Sequence, residues 1–454
     1  MEHTPYPGCN IRSQNFEVKL ISRLNITGKL DKEILDYLYS LKREGVKMDL
    51  SVVRGLSETT GISSDLFKSM HVAGTNGKGS TACLLYNVKN AREKTGLYTS
   101  PHLVYFNERI ISGREMIPDS YIEGFIRKHM DEIESQKKFN RNPTFFEVTT
   151  IMAFGYFIDT GCSSVSVEVG LGGRLDATNI ITPEISVITH IGFDHANILG
   201  GSLTSIAREK AGIIKEGVPV VTGENKPEAL REIIRVAGIR QSRVIRANEY
   251  CRIVDLEASL EGNKFRAVTE KDSYEISSSM PGKYQVKNIA TAISALENLP
   301  DPPSRADIEA GISTARWPGR LEVVRTEPTV IIDAAHNPPA ASTLVSALKE
   351  LVKEEPVLLV GQLKDKDYYS FLSALRPLSG RIILTTPDEE SRAEDPEKLM
   401  PIALRIYREV NVIKDPVEAY AFALNQSAPV IVTGSIYLIG IIKKLENSSL
   451  YPFK

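Results

Sequence analysis

His71-Val-Ala-Gly-Thr-Asn-Gly-Lys-Gly-Ser-Thr81 is the stretch around which this chain is organised. An apolar run, Met70 to Ala73, leads into it, and a helical pattern of apolar residues follows at Ala82, Leu84, Leu85, Val88 and Ala91. A strand, a glycine-rich loop and a helix in this order are what a phosphate-binding loop requires. Glycines let backbone N–H groups close around phosphate oxygens, and the helix N-terminus adds a partial positive charge. The stretch therefore predicts a site for a phosphorylated ligand.

Three side chains of this stretch could act on a phosphate. Lys78 would supply a point charge for the outer phosphates, and Ser80 or Thr81 would place a hydroxyl near a metal ion. The motif departs from the standard P-loop because Gly79 separates the lysine from the hydroxyl residue and the spacer is short. The alternative is a glycine-rich turn that only caps a helix.

The composition bounds the size and class of the protein. At 454 residues the chain is too long for a single compact core, so we expect two or three domains. Its hydrophobic content of 42% and charged content of 25% are ordinary for a globular protein. The net charge of −2 gives no reason to expect nucleic acid or an anionic membrane as a partner.

The cysteines and the hydropathy pattern indicate a compartment. Cys9, Cys83, Cys162 and Cys251 lie far apart and form no CxxC pair. This spacing argues against a zinc site or a disulfide framework and fits a reducing cytosol. The N-terminus has no apolar signal core, and no stretch approaches the roughly 18 apolar residues of a membrane span. We therefore expect a cytoplasmic protein that has no membrane partner.

The pattern around the loop predicts an α/β fold with a mostly parallel sheet. A helix is expected from Asp31, with an apolar stripe at Ile34, Leu35, Leu38 and Leu41. Strand-like apolar runs then alternate with helical patterns, at 70–73, 164–169, 185–190 and 218–222. Functional side chains in such sheets lie beyond the carboxyl ends of the strands.

The second half of the chain has a different pattern of apolar residues and turns. Residues 243–280 show short alternating runs and a turn at Gly262-Asn263, which suggest a small antiparallel meander. Trp317-Pro318-Gly319 suggests a hinge. Strand-like runs beyond it predict a second α/β unit, at 329–333, 356–361, 380–385 and 429–433. We therefore predict an N-terminal domain of residues 1–315 and a C-terminal domain of residues 316–454.

Glu168 is the first candidate for chemistry outside the loop. It lies near the end of the valine-rich run 164–170, just before the glycine-rich stretch 170–179. A carboxylate there is costly to bury unless it is paired or bound to a cation. Beside a phosphate loop the natural cation is Mg²⁺, which takes oxygen ligands and bridges phosphates. The alternative is a salt bridge to Arg174 or to another neighbouring residue.

Two histidines and a lysine follow the next apolar run. His190 and His195 bracket residues 191–194, and chemistry alone leaves His195 open between a structural and a functional role. Lys210 ends a helical segment, where a lysine is ordinarily a solvated charge.

The C-terminal half has its own polar cluster. Asp333, His336 and Asn337 follow the apolar run 330–332 and suggest a site, because a helix N-cap would explain only Asn337. Arg320, just past the hinge, could reach a phosphate or carboxylate with two hydrogen bonds, or it could lie on the surface.

Together, nine separated motifs between about residues 35 and 440 resemble the folylpolyglutamate synthase/dihydrofolate synthase family of the Mur ligase superfamily. They are HVAGTNGKGST (71–81), GLYTSPHLVYFNERI (96–110), TFFEVTT (144–150), VEVGLGGRLDATN (167–179), IGFDH (191–195), EKAGIIK (209–215), RWPGRLE (316–322), DAAHNP (333–338) and VTGSIYL (432–438). The resemblance implies a Mur-ligase-like ATPase domain followed by a Rossmann-like α/β domain.

The resemblance also implies an ATP-dependent amide-bond ligase. The family phosphorylates a substrate carboxylate with ATP, and the amine of L-glutamate attacks the acyl phosphate, releasing phosphate and ADP. Such phosphoryl transfer needs positioning and charge neutralisation more than covalent chemistry. The expected cofactors are ATP and Mg²⁺, and the resemblance also allows a monovalent cation. The expected partners are small molecules. We expect a monomer.

Carried over position by position, the resemblance assigns roles to individual residues. The ATP phosphate contacts would be Gly77, Lys78, Gly79 and Ser80. The magnesium ligands would be Ser100, Glu168, His195 and Lys210. Lys210 matches a family lysine that can be carbamylated, and a carbamate anion would suit a second metal better than an ammonium. The residues expected to act in catalysis are Lys78, His195, Lys210 and His336.

Other positions match substrate contacts of the family. Asn288 matches a nucleotide-binding asparagine, and Arg320 and Asp333 match ATP contacts. His336 would sit near the reacting phosphate or the glutamate. Contacts to the pterin are expected from the loop 47–50, including Asp49, and from Thr144, Phe146 and Arg174. Because ATP contacts come from both halves, the resemblance places the site in an interdomain cleft whose closure would exclude water.

Three positions depart from the family pattern, and two alternatives remain. Tyr105 stands where the family has arginine, which leaves the preferred glutamate tail or pterin open, and Tyr284 and Ala334 replace a histidine and a glycine. One alternative is a Mur-type ligase for a different carboxylate or a modified pterin, against which the SPHL and FNERI stretches weigh. The other is a nucleotide-binding regulator without catalysis. Four retained residues argue against it: Lys78, Glu168, His195 and Lys210.

Overall fold

The computed structural model describes residues 31–41, 49–137, 142–194, 196–364, 366–387 and 392–446. This part of the chain forms two compact units, one ending at Pro318 and the other beginning at Gly319. The sequence placed the division after residue 315. Cys9 and His195 lie outside the described residues, as do residues 47 and 48 of the loop expected to contact the pterin.

The first unit contains an eight-stranded sheet in the order β4-β3-β2-β5-β1-β6-β7-β8. Its strands are β1 (Lys68–Ala73), β2 (Thr95–Tyr98), β3 (Ile110–Ser112), β4 (Glu115–Met116), β5 (Ser164–Glu168), β6 (Ile185–Ile188), β7 (Val220–Thr222) and β8 (Val244–Arg246). Every pair from β2 to β8 is parallel, and β3 and β4 add an antiparallel edge. The predicted, mostly parallel α/β sheet is confirmed.

A separate three-stranded antiparallel sheet confirms the predicted meander. It consists of β9 (Arg252–Ala258), β10 (Asn263–Val268) and β11 (Ser273–Ser278). The turn between β9 and β10 ends at Gly262, and Asn263 already belongs to β10. Gly262 has a φ of 145°, and a Cβ built there would lie 1.9 Å from the carbonyl oxygen of Ser278, so only glycine fits.

Helices surround the first sheet and connect its strands. They are α1 (Lys32–Ser40), α2 (Ser51–Thr60), α3 (Lys78–Lys89), α4 (Asp119–Lys128), α5 (Met130–Lys137), α6 (Phe145–Asp159), α7 (Ala196–Leu199), α8 (Leu203–Ala211), α9 (Pro227–Ile239), α10 (Ala247–Tyr250), α11 (Lys283–Leu296) and α12 (Arg305–Thr314). Helix α3 lies between the sheet and helices α11 and α12, and residues 80–89 are all buried. The predicted apolar stripe of α3 is therefore buried at 82, 84, 85 and 88, whereas Ala91 lies beyond the helix end and is exposed.

The second unit is a six-stranded sheet in the order β12-β13-β17-β14-β15-β16. Its strands are β12 (Glu322–Thr326), β13 (Thr329–Ile332), β14 (Val357–Val360), β15 (Arg381–Leu384), β16 (Glu409–Val412) and β17 (Val430–Thr433). Its helices are α13 (Pro338–Leu351), α14 (Tyr368–Leu375), α15 (Pro396–Ala403), α16 (Pro416–Leu424) and α17 (Ile436–Leu445). All strand pairs are parallel except β12 with β13, so the second α/β unit is confirmed.

One ion pair joins the two ends of the second unit. The fully buried ammonium of Lys443, near the end of α17, pairs with Glu322 at the start of β12. Next to it, Arg325 pairs with Glu446 at 3.3 Å. The first strand of this unit is therefore tied to its last helix.

A buried histidine anchors β1 just before the phosphate loop. The Nε2 atom of His71 lies 2.8 Å from the hydroxyl of Thr178, which itself donates to Asp176 at 2.5 Å. The hydroxyl therefore accepts from Nε2–H, which leaves Nδ1 as the unprotonated nitrogen. Nδ1 is buried and has no hydrogen-bond partner among the described residues. Burial, reinforced by the charge of Lys215, lowers the pKa of His71 to about 3.

This histidine makes stability depend on pH. Between pH 6.5 and about 3 the unfolded chain binds a proton at His71 that the folded chain rejects, so the free energy of unfolding falls as pH falls. From pH 7 to pH 5 we expect this single group to cost about 2 kcal/mol. Urea unfolding of the wild type and of His71→Gln, which keeps a donor for Thr178, measures the difference. Equal pH dependence in both proteins would show that the folded state accepts the proton.

Candidate active site

The loop after β1 has the geometry that the sequence predicted for binding phosphate. Gly77 has a φ of 88° and precedes Lys78, the first residue of α3. A Cβ at Gly77 would lie 2.5 Å from Oδ1 of Asn288, so a larger residue fits neither the backbone nor the space. The backbone N–H groups at the start of α3 therefore lie at the end of the loop, where an anion can accept from them.

Hydrogen bonds join the phosphate loop to the turn that follows β6. The backbone N–H of Thr75 donates to the carbonyl of His190 at 2.7 Å, and the hydroxyl of Thr75 both donates to and accepts from the backbone of Gly192. The hydroxyl of Thr189 donates to the carbonyl of Asn76 at 2.8 Å. Two adjacent strands thus fix the loop at the carboxyl edge of the sheet.

Two lysines converge on the loop. The ammonium of Lys78, which is partly exposed, donates to the carbonyl of Thr75 at 3.3 Å. Lys210, at the end of α8, is only 4% exposed and donates to the carbonyl of Gly74 at 2.7 Å. Burial, and then the charge of Lys78, lower the pKa of Lys210 to about 7, while Asp194 opposes the shift. Lys210 is thus a buried amine at the loop, whereas its spacing alone indicated an ordinary solvated charge.

Glu168 and Ser100 lie together at the ends of neighbouring strands. Glu168 ends β5, is 5% exposed, and accepts from the backbone N–H of Ser100 at 3.1 Å. Its neighbour in the sheet is β1, whose Val72 pairs with Glu168. Arg174 instead pairs with Glu209 at 3.0 Å, so the salt bridge considered as the alternative goes to another carboxylate. A buried carboxylate beside a phosphate loop fits a hard divalent cation.

The remaining expected metal ligand falls outside the described part of the chain. Within the described ranges, no three His, Cys, Asp or Glu side chains form a group that could hold a metal ion. His195, which the resemblance adds to Glu168, is not among those residues. The magnesium site therefore stays a prediction.

A chain of amides connects α11 to the loop. The amide of Gln285 donates to the hydroxyl of Ser80 at 3.3 Å, and Asn288 donates to Gln285 at 2.8 Å. This arrangement holds the side-chain oxygen of Asn288 over Gly77. Gln285 is fully buried, and no local pattern predicted its contact with Ser80, because the two residues are far apart in the chain.

Trp317 also contacts the loop helix. A Cβ at Gly79 would lie 2.5 Å from Cζ2 of its indole ring. The sequence indicated only a hinge at this position. Gly79 is therefore needed for close packing against the indole, and not for an unusual backbone conformation.

The residues expected to contact the pterin differ in what they contact and in how far they are buried. Phe146 stacks on Tyr98 with ring centroids 5.9 Å apart and lies against Gly170, just beyond β5. Thr144 is buried, caps α6 and exchanges hydrogen bonds with Glu147. Asp49 is exposed and accepts from the backbone N–H of Ser51. Phe146 is thus near Glu168, while Thr144 and Asp49 have local structural roles.

The second unit gathers its expected site residues at the carboxyl end of β13. Asp333 accepts from the backbone N–H groups of Leu321 at 2.9 Å and Ala335 at 2.8 Å. His336 is half-buried, and its Nδ1 donates to the carbonyl of Ala334 at 2.9 Å. Asn337 caps α13, as the capping alternative proposed. Arg320 is partly exposed, one residue before Leu321.

Across the described ranges, no helix is both long enough and apolar enough to cross a bilayer.

Comparisons with protein families match both units. Residues 72–296 match the Mur ligase middle domain, and residues 319–436 match the Mur ligase, glutamate ligase domain. The chain is 33% identical to a folylpolyglutamate synthase of Lacticaseibacillus casei over 425 residues, which cover 91% of this chain and 97% of the relative. It is 34% identical to a dihydrofolate synthase/folylpolyglutamate synthase of Bacillus subtilis over 424 residues, 90% of this chain and 97% of the relative.

Solved structures agree with these relatives. A Mycobacterium tuberculosis folylpolyglutamate synthase complexed with ADP superposes with a TM-score of 0.85 at 28% identity, covering 92% of this chain and 98% of that one. An FPGS complex with AMPPCP and folate superposes with a TM-score of 0.80 at 30% identity, covering 91% and 98%.

The packing of Gly79 against Trp317, the only tryptophan of the chain, can be tested by fluorescence. In Gly79→Ala the added methyl must displace the indole, so we expect a shifted emission maximum and a loss of about 1–3 kcal/mol of stability. Gly124→Ala is the matched control in α4, because its Cβ meets nothing within 4 Å. This control should keep the wild-type emission and gain up to about 1 kcal/mol. An unchanged spectrum in Gly79→Ala would contradict the contact.

Proposed function

Because this chain belongs to the folylpolyglutamate synthase/dihydrofolate synthase family of Mur ligases, we propose that it uses ATP to join L-glutamate to the carboxylate of a folate or pteroate. The observation that carries the proposal is the phosphate loop, with Lys78 and Lys210 beside it and buried Glu168 on the next strand. The relatives described above support the substrates. The products would be the amide, ADP and phosphate.

The residues of the loop would act by neutralising and positioning charge. ATP transfers its γ-phosphoryl group to the substrate carboxylate, and the amine of glutamate then displaces phosphate from the acyl phosphate. Lys78 and the N–H groups at the start of α3 would stabilise the phosphoryl oxygens during transfer and the oxyanion during amine attack. Asn288 would hold the nucleotide from above Gly77, and Arg320 and Asp333 would supply further ATP contacts. No protein nucleophile is needed.

Glu168 and Ser100 are the described residues that fit a magnesium ion. A buried carboxylate and a hydroxyl supply the oxygen ligands that this ion takes, and His195 would complete the set by resemblance. When bound, the ion would neutralise charge on the phosphates. A monovalent cation is also part of the proposal.

Lys210 would act as a carbamate. A neutral amine adds CO₂ and releases one proton, and burial already lowers the pKa of this amine to about 7. The product is a carboxylate-like anion beside Lys78, which replaces repulsion between two cations by attraction. As an oxygen ligand it would suit a second metal ion.

The substrate would lie beyond the end of β5. Phe146 is partly exposed and lies against Gly170, and its aromatic ring suits the flat, aromatic ring of a pterin. By resemblance alone, Asp49, Thr144 and Arg174 are proposed as further pterin contacts, and His336 as a residue near the glutamate. A cytoplasmic location and a monomeric state are also part of the proposal.

The activity is tested by measuring ADP release. We expect turnover that requires both L-glutamate and either dihydropteroate or a tetrahydrofolate, with polyglutamylated folates included in the panel. Turnover without any pterin, or with amino acids other than glutamate only, would favour a Mur-type ligase for another carboxylate. Nucleotide binding without any turnover would favour a regulator.

Lys78→Ala tests the charge at the loop. Groups that stabilise charge in a transition state contribute about 3 kcal/mol, so kcat/KM should fall by at least roughly 100-fold. Lys94→Ala, an exposed lysine of the same unit, is the matched control and should behave as wild type. A near-normal rate for Lys78→Ala would remove this lysine from the mechanism.

The carbamate can be observed without an assay of activity. In the presence of ¹³C-bicarbonate, the wild type should show a carbamate carbon resonance that is missing in Lys210→Arg. Lys94→Arg should keep the resonance. If the resonance is absent from the wild type, or persists in Lys210→Arg, the modification is not at this residue.

A further inference from the structure

The hydroxyl of Ser80 is held differently from the buried hydroxyls of the neighbouring helix α11. There, Thr291 and Ser294 each donate to the carbonyl four residues back, at 2.8 Å in both cases. Ser80, the third residue of α3, donates to no residue that the structure describes, and its Oγ instead accepts from Nε2 of Gln285 at 3.3 Å. The proton of this hydroxyl is therefore left for another acceptor.

The carbonyls to which a helical serine ordinarily donates have other donors here. The carbonyl of Asn76, four residues before Ser80, accepts from the hydroxyl of Thr189 at 2.8 Å. The carbonyl of Gly77, three residues before Ser80, accepts from the backbone N–H of Thr81 at 2.9 Å. Both carbonyls therefore already have a donor, and the hydroxyl is oriented by the amide from α11 instead.

Gln285 is fully buried in the first turn of α11 and has a partner at each end of its amide. Asn288, one turn further along the same helix, donates from Nδ2 to Oε1 of Gln285 at 2.8 Å. With a donor at that end, the amide has its nitrogen at the other end, and a nitrogen of this kind only donates. Gln285 therefore presents an N–H to Ser80, and the serine oxygen has to accept.

Ser80 lies where the phosphate loop offers its hydrogen-bond donors. The first bond within α3 runs from Thr81 to Gly77, so the N–H groups before it, that of Ser80 included, have no carbonyl within the helix. Residues 75–79 are partly exposed, and the next residue, Ser80, is 3% exposed. A hydroxyl has one proton and two lone pairs, and Gln285 occupies a lone pair. The proton suits an anionic oxygen that accepts from the same N–H groups.

We propose that Gln285 is a positioning residue for ATP, whose amide holds the Ser80 hydroxyl as a donor to a phosphate oxygen without contacting the nucleotide itself. The inference rests on the ATP-binding part of the proposed function. Without the amide, the hydroxyl is free to turn to another acceptor, and the phosphate loses a charge-assisted hydrogen bond. A glutamine that only anchors α11 against α3 would instead matter equally whether or not residue 80 carries a hydroxyl.

Gln285→Met, measured in two backgrounds, separates these roles, because it keeps the length of the side chain and removes the amide. In the wild-type background we expect the affinity for AMPPCP, a non-hydrolysable ATP analogue, to fall about tenfold. Ser80→Ala alone should lower the affinity by a similar factor. In the Ser80→Ala background, Gln285→Met should cost no more than about threefold, since no hydroxyl remains to be oriented. Titration calorimetry on the four proteins measures the coupling.

Two variants serve as matched controls. Ser294→Ala removes a buried hydroxyl of α11, and Gln426→Met replaces a partly exposed glutamine just after α16. Both should leave the affinity for AMPPCP unchanged. If Gln285→Met does not fold, Gln285→Glu takes its place, because its carboxylate keeps the bond from Asn288 but can only accept. The Ser80 hydroxyl would then donate to this carboxylate, and the loss of affinity should again be larger with the hydroxyl present than without it.

Equal losses in the two backgrounds, or an unchanged affinity in Gln285→Met, would overturn the inference and leave Gln285 as a structural residue. In assays of turnover, the same variant should raise KM for ATP and leave KM for L-glutamate unchanged. The calorimetric test needs nucleotide binding alone, so it is independent of the ligase reaction. A wild-type protein that shows the coupling but no glutamate-dependent ADP release would overturn the proposed function and leave the role of Gln285 standing.

Discussion

The first unit holds the ammonium groups of Lys78 and Lys210 at one loop, where the two cations repel each other. Lys78 and Lys210 donate to the carbonyls of Thr75 and Gly74, which are neighbours in the chain. These carbonyls offset part of the charge, while burial first and the charge of Lys78 second lower the pKa of Lys210. A loop built this way attracts an anion strongly, because a phosphate or a carbamate relieves the repulsion that folding leaves behind.

The local part of this arrangement could be predicted from sequence. The strand, the glycine turn and the helix lie within about 20 consecutive residues; the apolar pattern predicted the strand and the helix, and the glycines predicted the turn. Strand β16 was missed because its side chains, from Glu409 to Val412, are partly exposed and show no apolar run. Ala91 was assigned to the helix because apolar spacing does not show where a helix ends.

The contacts of the candidate site could not be predicted in this way, because they join distant parts of the chain. No local pattern could show that Lys210 is buried, since its burial depends on how α8 packs beside β1 and β6. The same holds for Gln285 and Trp317, whose contacts with Ser80 and Gly79 span more than 200 residues. The resemblance to a family supplied Lys210 and Asn288, and the structure then gave the surroundings of both residues.

The ion pair between Lys443 and Glu322 has a consequence for the second unit as a building block. It places the last helix of the unit against its first strand, and the pair of Arg325 with Glu446 does the same one turn further on. A unit whose two chain ends are adjacent can be inserted into a host loop, or be given new termini elsewhere, without disturbing its sheet. The described part of the second unit, from Gly319 to Glu446, therefore has the adjacent ends that such an insertion needs.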